Sequence, residues 1–169
     1  MRVVVDDLAF LVSDAIVRPA TARLEATTPA VRRLEQQGGT AFQAHLTVQH
    51  DLPVGAAVVT GAGGDLPAEF VIHAVIRSET EAVSPQGVAR AWRSALERAH
   101  EWEFARISAP PFGIGAGNLA LEDAAEIMVL EITAHRMRAP FPVDVAVVVE
   151  TDDEREVFEA ALRKGIARP

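Results

Sequence analysis

The 169-residue chain contains no cysteine. Without thiols it can form no disulfide, no thiolate metal site and no cysteine nucleophile. It also lacks any run of about 18 consecutive apolar residues, the length that a membrane-spanning helix needs. The first residues, a short apolar run at 3–5 followed by Asp6 and Asp7, are too short and too acidic for a signal peptide. These absences predict a cytoplasmic protein with no membrane partner.

Basic residues are few and scattered. The chain has 16 Lys and Arg against 24 Asp and Glu, a formal net charge of −8. Proteins that bind nucleic acids present a basic surface, so this balance disfavours a nucleic-acid partner. A bound anion would be held by backbone N–H groups. With 49% hydrophobic and 24% charged residues, the composition is typical of one packed domain, here residues 1–169.

Apolar runs of strand length alternate with helical patterns. The candidate strands are residues 2–5, 14–17, 56–60, 70–75, 106–109 and 144–150. Several are apolar on both faces, which is typical of inner strands covered by helices. The pattern predicts an α/β fold in which a sheet lies between two layers of helices.

Helix boundaries are indicated by capping residues. The pairs Thr28-Pro29 and Ser84-Pro85 each place a hydroxyl before a proline, which is typical of a helix start. We predict that the first helix runs to Gln37 and ends at Gly38-Gly39. We predict a third helix over residues 121–134 and a fourth that Asp152 or Asp153 caps.

The segment 110–119, PPFGIGAGNL, joins a predicted strand to a predicted helix. A glycine-rich turn at this place exposes successive N–H groups and aims a helix N-terminus at a phosphate. It has no lysine, so it is not a P-loop, and its glycine spacing is not that of a dinucleotide fingerprint. From the residues alone, a phosphate loop and a plain flexible connection both stay open.

Other polar residues allow two interpretations. Asp6 and Asp7 form either a solvated corner or a carboxylate that accepts a hydrogen bond from the amino group of a base. The glycines at 61–64 favour a hairpin-like connection, and His73, inside an apolar strand, favours a satisfied core side chain. No histidine pair has the spacing of a metal site, and no GxSxG motif is present. We therefore predict no metal and name no catalytic residue.

Three segments together resemble the macro domain, the ADP-ribose-binding module. Residues 7–9 and 14–17 resemble the family's GDIT and DAIVNAAN, residues 55–75 resemble GxAVxTxGxxLPAxxVIHAV, and residues 110–119 resemble its second phosphate loop. The resemblance implies a three-layer α/β/α sandwich with a mixed six- or seven-stranded sheet. It also implies that ADP-ribose is the ligand, with no other cofactor, and that the partner is a small nucleotide or an ADP-ribosylated protein.

The resemblance also implies the ligand-binding residues. Asp7 would hold the adenine amino group, and the Leu8 N–H would meet the ring. The N–H groups of the second loop would hold the phosphates and the distal ribose; its residues are Gly113, Ile114, Gly115, Ala116 and Gly117. Thr21 stands where hydrolytic members have an asparagine at the distal ribose.

The first loop departs from the family pattern. Residues 18–21 read RPAT in place of NAAN, and residues 26–32 replace a glycine-rich run. Val31 replaces an acidic residue that orients water in some hydrolases, and Glu150 or a neighbour replaces an aromatic that stacks on adenine. Arg18 or Arg32 would either fill the cleft or reach a ligand phosphate.

These departures leave three functions open. The first is binding of ADP-ribose or a related adenine nucleotide diphosphate with little or no catalysis. The second is hydrolysis of an ADP-ribosyl ester or of ADP-ribose 1''-phosphate. The third is an interaction role for a domain whose cleft has degenerated.

Overall fold

The computed structural model describes residues 1–47, 50–115 and 118–166. Within these ranges the chain forms six strands and four helices, in the order β1 (Arg2–Val5), β2 (Ala15–Thr21), α1 (Pro29–Ala44), β3 (Ala57–Gly61), β4 (Phe70–Arg77), α2 (Pro85–Glu101), β5 (Arg106–Ala109), α3 (Leu121–Arg136), β6 (Asp144–Val149) and α4 (Asp152–Ile166). None of the helices in the described ranges is long and apolar enough to cross a membrane.

The six strands form one mixed sheet in the order β1-β6-β5-β2-β4-β3. Neighbouring strands are parallel except β3, which is antiparallel to β4. The connection between β3 and β4 contains the glycines at 61–64. The carboxyl ends of β1, β6, β5 and β2 therefore lie at one edge of the sheet. Open α/β sheets bind ligands at this edge, so the topology directs attention to the loops that follow these strands.

Helices cover both faces of the sheet. On one face, Val17 of β2 and Ile72 of β4 belong to the same core cluster as Trp92 of α2 and Phe158 of α4. On the other face, Ile16 and Val71 pack with Leu34 and Phe42 of α1. Alternate residues of one strand thus point to opposite layers. The predicted three-layer α/β/α sandwich with a mixed sheet is confirmed.

β2 and α1 extend at least four residues beyond their predicted ends, and β4 and α3 extend two residues beyond theirs. β2 continues from Ala15 to Thr21, although it contains Pro19. Its pairing with β5 stops at Ile16, so on that side the strand is free of ladder bonds where the proline lacks an N–H. α1 bends at Gly39, with φ +61° and ψ −153°, and then continues to Ala44. The first helical segment therefore ends at the predicted glycines, and a short second segment follows the kink.

The cap of α4 differs from the predicted one. The N–H of Glu154 donates to Thr151 Oγ1 at 3.2 Å, while Glu154 Oε2 accepts the N–H groups of Glu150 at 2.7 Å and Thr151 at 3.2 Å. This reciprocal arrangement is a capping box. Asp152 and Asp153 instead lie in the first turn, where negative charge favours the helix dipole.

Candidate functional site

A cleft of about 270 Å³ opens at the carboxyl edge of the sheet. Four segments line it: the turn after β1, the start of α1, the loop after β5, and the end of β6 with the first turn of α4. Its lining residues include Asp6, Asp7, Leu8, Thr27, Thr28, Pro29, Ala30, Arg33, Pro110, Pro111, Ile114, Gly115, Val148, Val149, Glu150 and Glu154. The four segments are distant in sequence, and the sheet topology brings them together.

Asp7 lies at one end of this cleft. Its Oδ1 accepts the N–H of Ala9 at 2.9 Å, and its own N–H donates to Asp6 Oδ1 at 2.7 Å. The turn therefore fixes one carboxylate oxygen, while Oδ2 lies 3.7 Å from Arg33 Nε. The neighbouring Leu8 is buried in the cluster that contains Val148. This end of the cleft combines a fixed hydrogen-bond acceptor with an apolar floor.

The loop after β5 forms a second wall. Gly113 has φ +77° and is buried, and a Cβ added there would lie 2.7 Å from Val88 Cγ2 of α2. Its carbonyl accepts the N–H of Leu119 at 2.8 Å, so this glycine shapes the loop against α2. Ile114 and Gly115 follow it and line the cleft. The predicted ligand residues Ala116 and Gly117 lie outside the described residues.

The start of α1 faces that loop. Thr28 is the N-cap, and its Oγ1 accepts the N–H of Val31 at 3.3 Å. Pro29 begins the helix. A Cβ added at Gly115 would lie 3.5 Å from Thr28 Cγ2, so the two walls approach closely here. Since the N-terminus of a helix carries partial positive charge, this part of the cleft favours an anion.

Thr21 does not line this cleft. Its Oγ1 accepts the N–H groups of Arg23 at 3.3 Å and Glu25 at 3.1 Å, and it lies 3.4 Å from Glu25 Oε2. It lines a different cavity of about 470 Å³, which Asn118 also lines. Among the predicted ligand residues, the structure thus brings Asp7, Leu8, Ile114 and Gly115 to one cleft, with Thr21 in the neighbouring cavity.

Arg18 neither fills the cleft nor reaches a phosphate there, so that expectation is wrong. The side chain is fully buried beneath α1. Its Nη1 donates to Glu35 Oε1 at 2.6 Å, its Nη2 donates to the carbonyl of Leu24, and its guanidinium lies 5.4 Å from the centre of the Phe42 ring. Burial lowers the pKa of Arg18, and the Glu35 carboxylate partly offsets that effect. The guanidinium joins α1 and the first loop to the sheet.

His73 belongs to the same buried network. Arg18 Nε donates to His73 Nδ1 at 2.8 Å, and His73 Nε2 lies 2.7 Å from Thr60 Oγ1. Because the guanidinium can only donate, Nδ1 accepts, and the proton of the neutral ring lies on Nε2. Burial lowers the pKa of His73 well below its usual value, and the charge of Arg18 adds to this shift. The histidine is a neutral core residue, in agreement with its sequence interpretation.

Sequence reasoning missed Arg33. Arg32 is exposed and borders an outer groove of α1, whereas Arg33 lines both that groove and the cleft. Arg33 Nη2 contacts Glu150 Oε1 while Nε lies 3.7 Å from Asp7 Oδ2. The helix predicted from Pro29 contained the signal, because position 33 lies one turn after Pro29 on the same face.

The described residues contain no group of three or more His, Asp or Glu side chains placed to hold a metal ion.

The family model for the Macro domain matches residues 12–128. The chain belongs to the macro domain family. An O-acetyl-ADP-ribose deacetylase of Klebsiella pneumoniae is 31% identical over 159 residues, which is 90% of each chain. An uncharacterised protein of Mycobacterium tuberculosis is 31% identical over 94% of this chain and 44% of its own length. The chain spans about half the length of the mycobacterial relatives it matches.

Solved macro domain structures share the fold of this domain. The Oceanobacillus iheyensis macrodomain with ADP superposes with a TM-score of 0.79 at 21% identity, covering 99% of this chain and 92% of that chain. The Trypanosoma brucei macrodomain in complex with ADP-ribose superposes with a TM-score of 0.83 at 19% identity, covering 95% of this chain and 68% of that chain.

Proposed function

We propose that this macro domain binds ADP-ribose or a related adenine nucleotide diphosphate in the cleft between Asp7 and Gly115. One observation carries the proposal: a fixed carboxylate and the glycine-rich loop line the same open cleft, and the N-terminus of α1 lies at the same edge of the sheet. A negatively charged acceptor suits the amino group of a base, and exposed amides with a helix N-terminus suit a diphosphate.

The assignment of roles follows from the chemistry of each wall. Asp7 Oδ2, which the turn leaves without a backbone donor, would accept from the exocyclic amine of the base. The ring would rest on the apolar floor that Leu8 and Val149 provide. Among the described residues, the N–H groups of Ile114 and Gly115 have no hydrogen-bond partner. These two amides are available to a diphosphate, and Thr28 borders the same space.

We further propose that turnover in this cleft is low or nil. The carboxylates that line it, Asp6, Asp7, Glu150 and Glu154, lie on the segments at the base end. Val31, at the position of the acidic residue that some hydrolases use, is fully buried in α1. Thr21 is engaged with the backbone of residues 23 and 25. The described residues that line the cleft beside the diphosphate position are thus threonine, proline, alanine, isoleucine and glycine, which cannot serve as a general base.

Calorimetric titration with ADP-ribose tests the binding function, and Asp7→Asn is the most informative variant. The amide oxygen of asparagine can still accept the N–H of Ala9, so the turn is kept. Its NH₂ group would then face the amino group of the base, donor against donor. We expect the variant to lose about 1–3 kcal/mol of binding free energy, which is roughly a 5- to 150-fold rise in Kd.

Asp65→Asn is the matched control, because Asp65 is an exposed aspartate in the connection between β3 and β4, outside the cleft lining. It should bind as the unchanged protein does. No heat from the folded, unchanged protein at millimolar ADP-ribose would exclude the binding function altogether.

A second candidate function is hydrolysis of an ADP-ribosyl ester or of ADP-ribose 1''-phosphate. Two observations favour it: the Klebsiella relative is named O-acetyl-ADP-ribose deacetylase, and the cavity beside the loop is lined by the carboxylates of Glu25, Asp51 and Glu79. A carboxylate near the distal ribose can orient or deprotonate a water molecule. An ADP-ribosylated protein would then be a substrate.

Incubation with O-acetyl-ADP-ribose, with acetate release as the readout, decides this candidate. Release that Glu25→Gln abolishes, while Glu122→Gln on the surface of α3 leaves it intact, would support hydrolysis. Release no faster than the spontaneous rate would remove the candidate. The third function weighed, an interaction role with a filled cleft, has no support from the geometry, because the cleft is open and Arg18 lies beneath it.

A further inference from the structure

We infer that the guanidinium of Arg33 covers the open face of the bound base and so contributes to the affinity for the nucleotide. This inference rests on the proposed function, because it assigns a residue to the base end of the same cleft. It identifies a purine-facing residue that neither the sequence motifs nor the resemblance pointed to.

The position of Arg33 is defined by contacts to two carboxylates. Nη2 contacts Glu150 Oε1 at the end of β6, and Nε lies 3.7 Å from Asp7 Oδ2 after β1. The backbone of Glu150 is held in place, since its N–H donates to Glu154 Oε2 at 2.7 Å. The guanidinium therefore lies beside the carboxylate that would hold the amino group of the base.

The side chains at the base end explain why a guanidinium would serve as the stacking partner. Among the described residues that line the cleft, none is aromatic, while Leu8 and Val149 supply a buried apolar floor. A purine on that floor exposes its second face to the cleft mouth. A guanidinium stacks on such a face through cation–π and planar contact, which an ammonium on a flexible stem reproduces poorly.

The contact distances favour this role over that of a latch that Arg33 would close against the ligand. Its separation from Asp7 Oδ2, 3.7 Å, is longer than a hydrogen bond, whereas the contact with Glu150 is close. Arg33 thus has its firm attachment outside the position that the amino group of the base would take. Asp7 Oδ2 stays available as an acceptor while Arg33 stays in place.

The experiment compares the Kd for ADP-ribose among four proteins: the unchanged chain, Arg33→Ala, Arg33→Lys and Arg32→Ala. Arg33 is 44% exposed, so neither of its variants should unfold the domain, and thermal melts check this. We expect Arg33→Ala to raise the Kd roughly 2- to 30-fold, the range of a cation–π contact. Arg33→Lys should lose nearly as much affinity, because lysine keeps the positive charge but lacks the planar guanidinium. Arg32→Ala removes the same charge at the adjacent position and should bind ADP-ribose with an unchanged Kd.

Three results would overturn the inference. Normal binding by Arg33→Lys would mean that Arg33 acts through charge alone. Tighter binding by Arg33→Ala would mean that it obstructs the cleft as a latch. An equal loss in Arg32→Ala would mean that any positive charge on α1 suffices. Failure of the unchanged protein to bind ADP-ribose would instead count against the proposed function, so the two failures are distinguishable.

Discussion

At the scale of single residues, the most constrained group lies below the cleft. Arg18 donates to Glu35 of α1, to the Leu24 carbonyl and to His73, and His73 continues the chain to Thr60. Thr60 Oγ1 in turn donates to the carbonyl of Gly61 at 3.0 Å. Each side-chain nitrogen and oxygen in this hydrogen-bond network has at least one partner, which is what allows a cation to be buried.

The buried hydrogen-bond network of Arg18, His73 and Thr60 predicts that the stability of the domain depends on pH. Burial holds the pKa of His73 well below the value of the unfolded chain, about 6.5. Above that value the ring is neutral in both states and contributes no slope. As the pH falls below it, the unfolded chain takes up a proton that the folded protein refuses, so the free energy of unfolding decreases, by up to about 1.4 kcal/mol per pH unit.

Urea unfolding at pH 7.5 and pH 5.5 checks this prediction. His73→Gln, whose amide can accept from Arg18 and donate to Thr60, should lose this part of the acid destabilisation. His50→Gln, at an exposed position, should keep it. The same acid slope in both variants would show that His73 is not the group responsible.

Arg18 and His73 also show what a sequence can reveal about single residues. The apolar strand around His73 was enough to predict a core histidine. The same reasoning misplaced Arg18, because its partner Glu35 lies 17 residues away on α1 and only the packing of that helix brings the two together. A pairing that depends on tertiary packing leaves no mark in the local pattern.

At the scale of elements, α1 carries much of the site. Its N-cap Thr28 borders the cleft, Arg33 extends from its second turn to Glu150, and Glu35 holds Arg18 beneath it. The predicted start at Thr28-Pro29 is confirmed, since both residues are local signals. The kink at Gly39 could not be predicted as a kink, because a glycine pair signals a helix end and a bend equally well.

Thr28 permits a test that separates its two contributions. Thr28→Ala removes the acceptor of the Val31 N–H and should lower the free energy of unfolding by about 1 kcal/mol. Thr28→Ser keeps the hydroxyl and removes only the methyl group near Gly115, so stability should change by no more than a few tenths of a kcal/mol. Chemical denaturation measures both. Equal losses would assign the stability effect to the methyl group.

At the scale of the whole molecule, ligand binding should be visible as stability. A ligand present at 100 times its Kd adds roughly 2.7 kcal/mol to the free energy of unfolding. For a domain of this length, each kcal/mol raises the Tm by about 2–4 °C, so we expect a shift of about 5–10 °C with ADP-ribose. Differential scanning fluorimetry measures it, with the unchanged protein and Asp7→Asn as the matched pair. The shift should be smaller in Asp7→Asn at the same concentration, and an equally large shift in both proteins would place the ligand elsewhere.

The fold class and the sheet between two layers of helices could be read from the alternation of strands and helices, and the mixed sheet of six or seven strands followed from the resemblance to the macro domain. The strand order β1-β6-β5-β2-β4-β3 could not be read from the local pattern, because β2 pairs with β4 and β5, neither of which is its neighbour in the chain. The site shows the same division: Asp7 and the glycine loop carry local signals, whereas the contact of Arg33 with Glu150 spans 117 positions.

The narrow approach between Thr28 and Gly115 bears on exchange kinetics. A diphosphate bound between these walls would contact the loop and the helix start together, so its release would have to break both sets of contacts. The residence time of the nucleotide then depends on how readily residues 113–115 move away from it. Two related domains with the same contacts to a nucleotide would differ in how long they retain it, according to the side chain that each has at position 28.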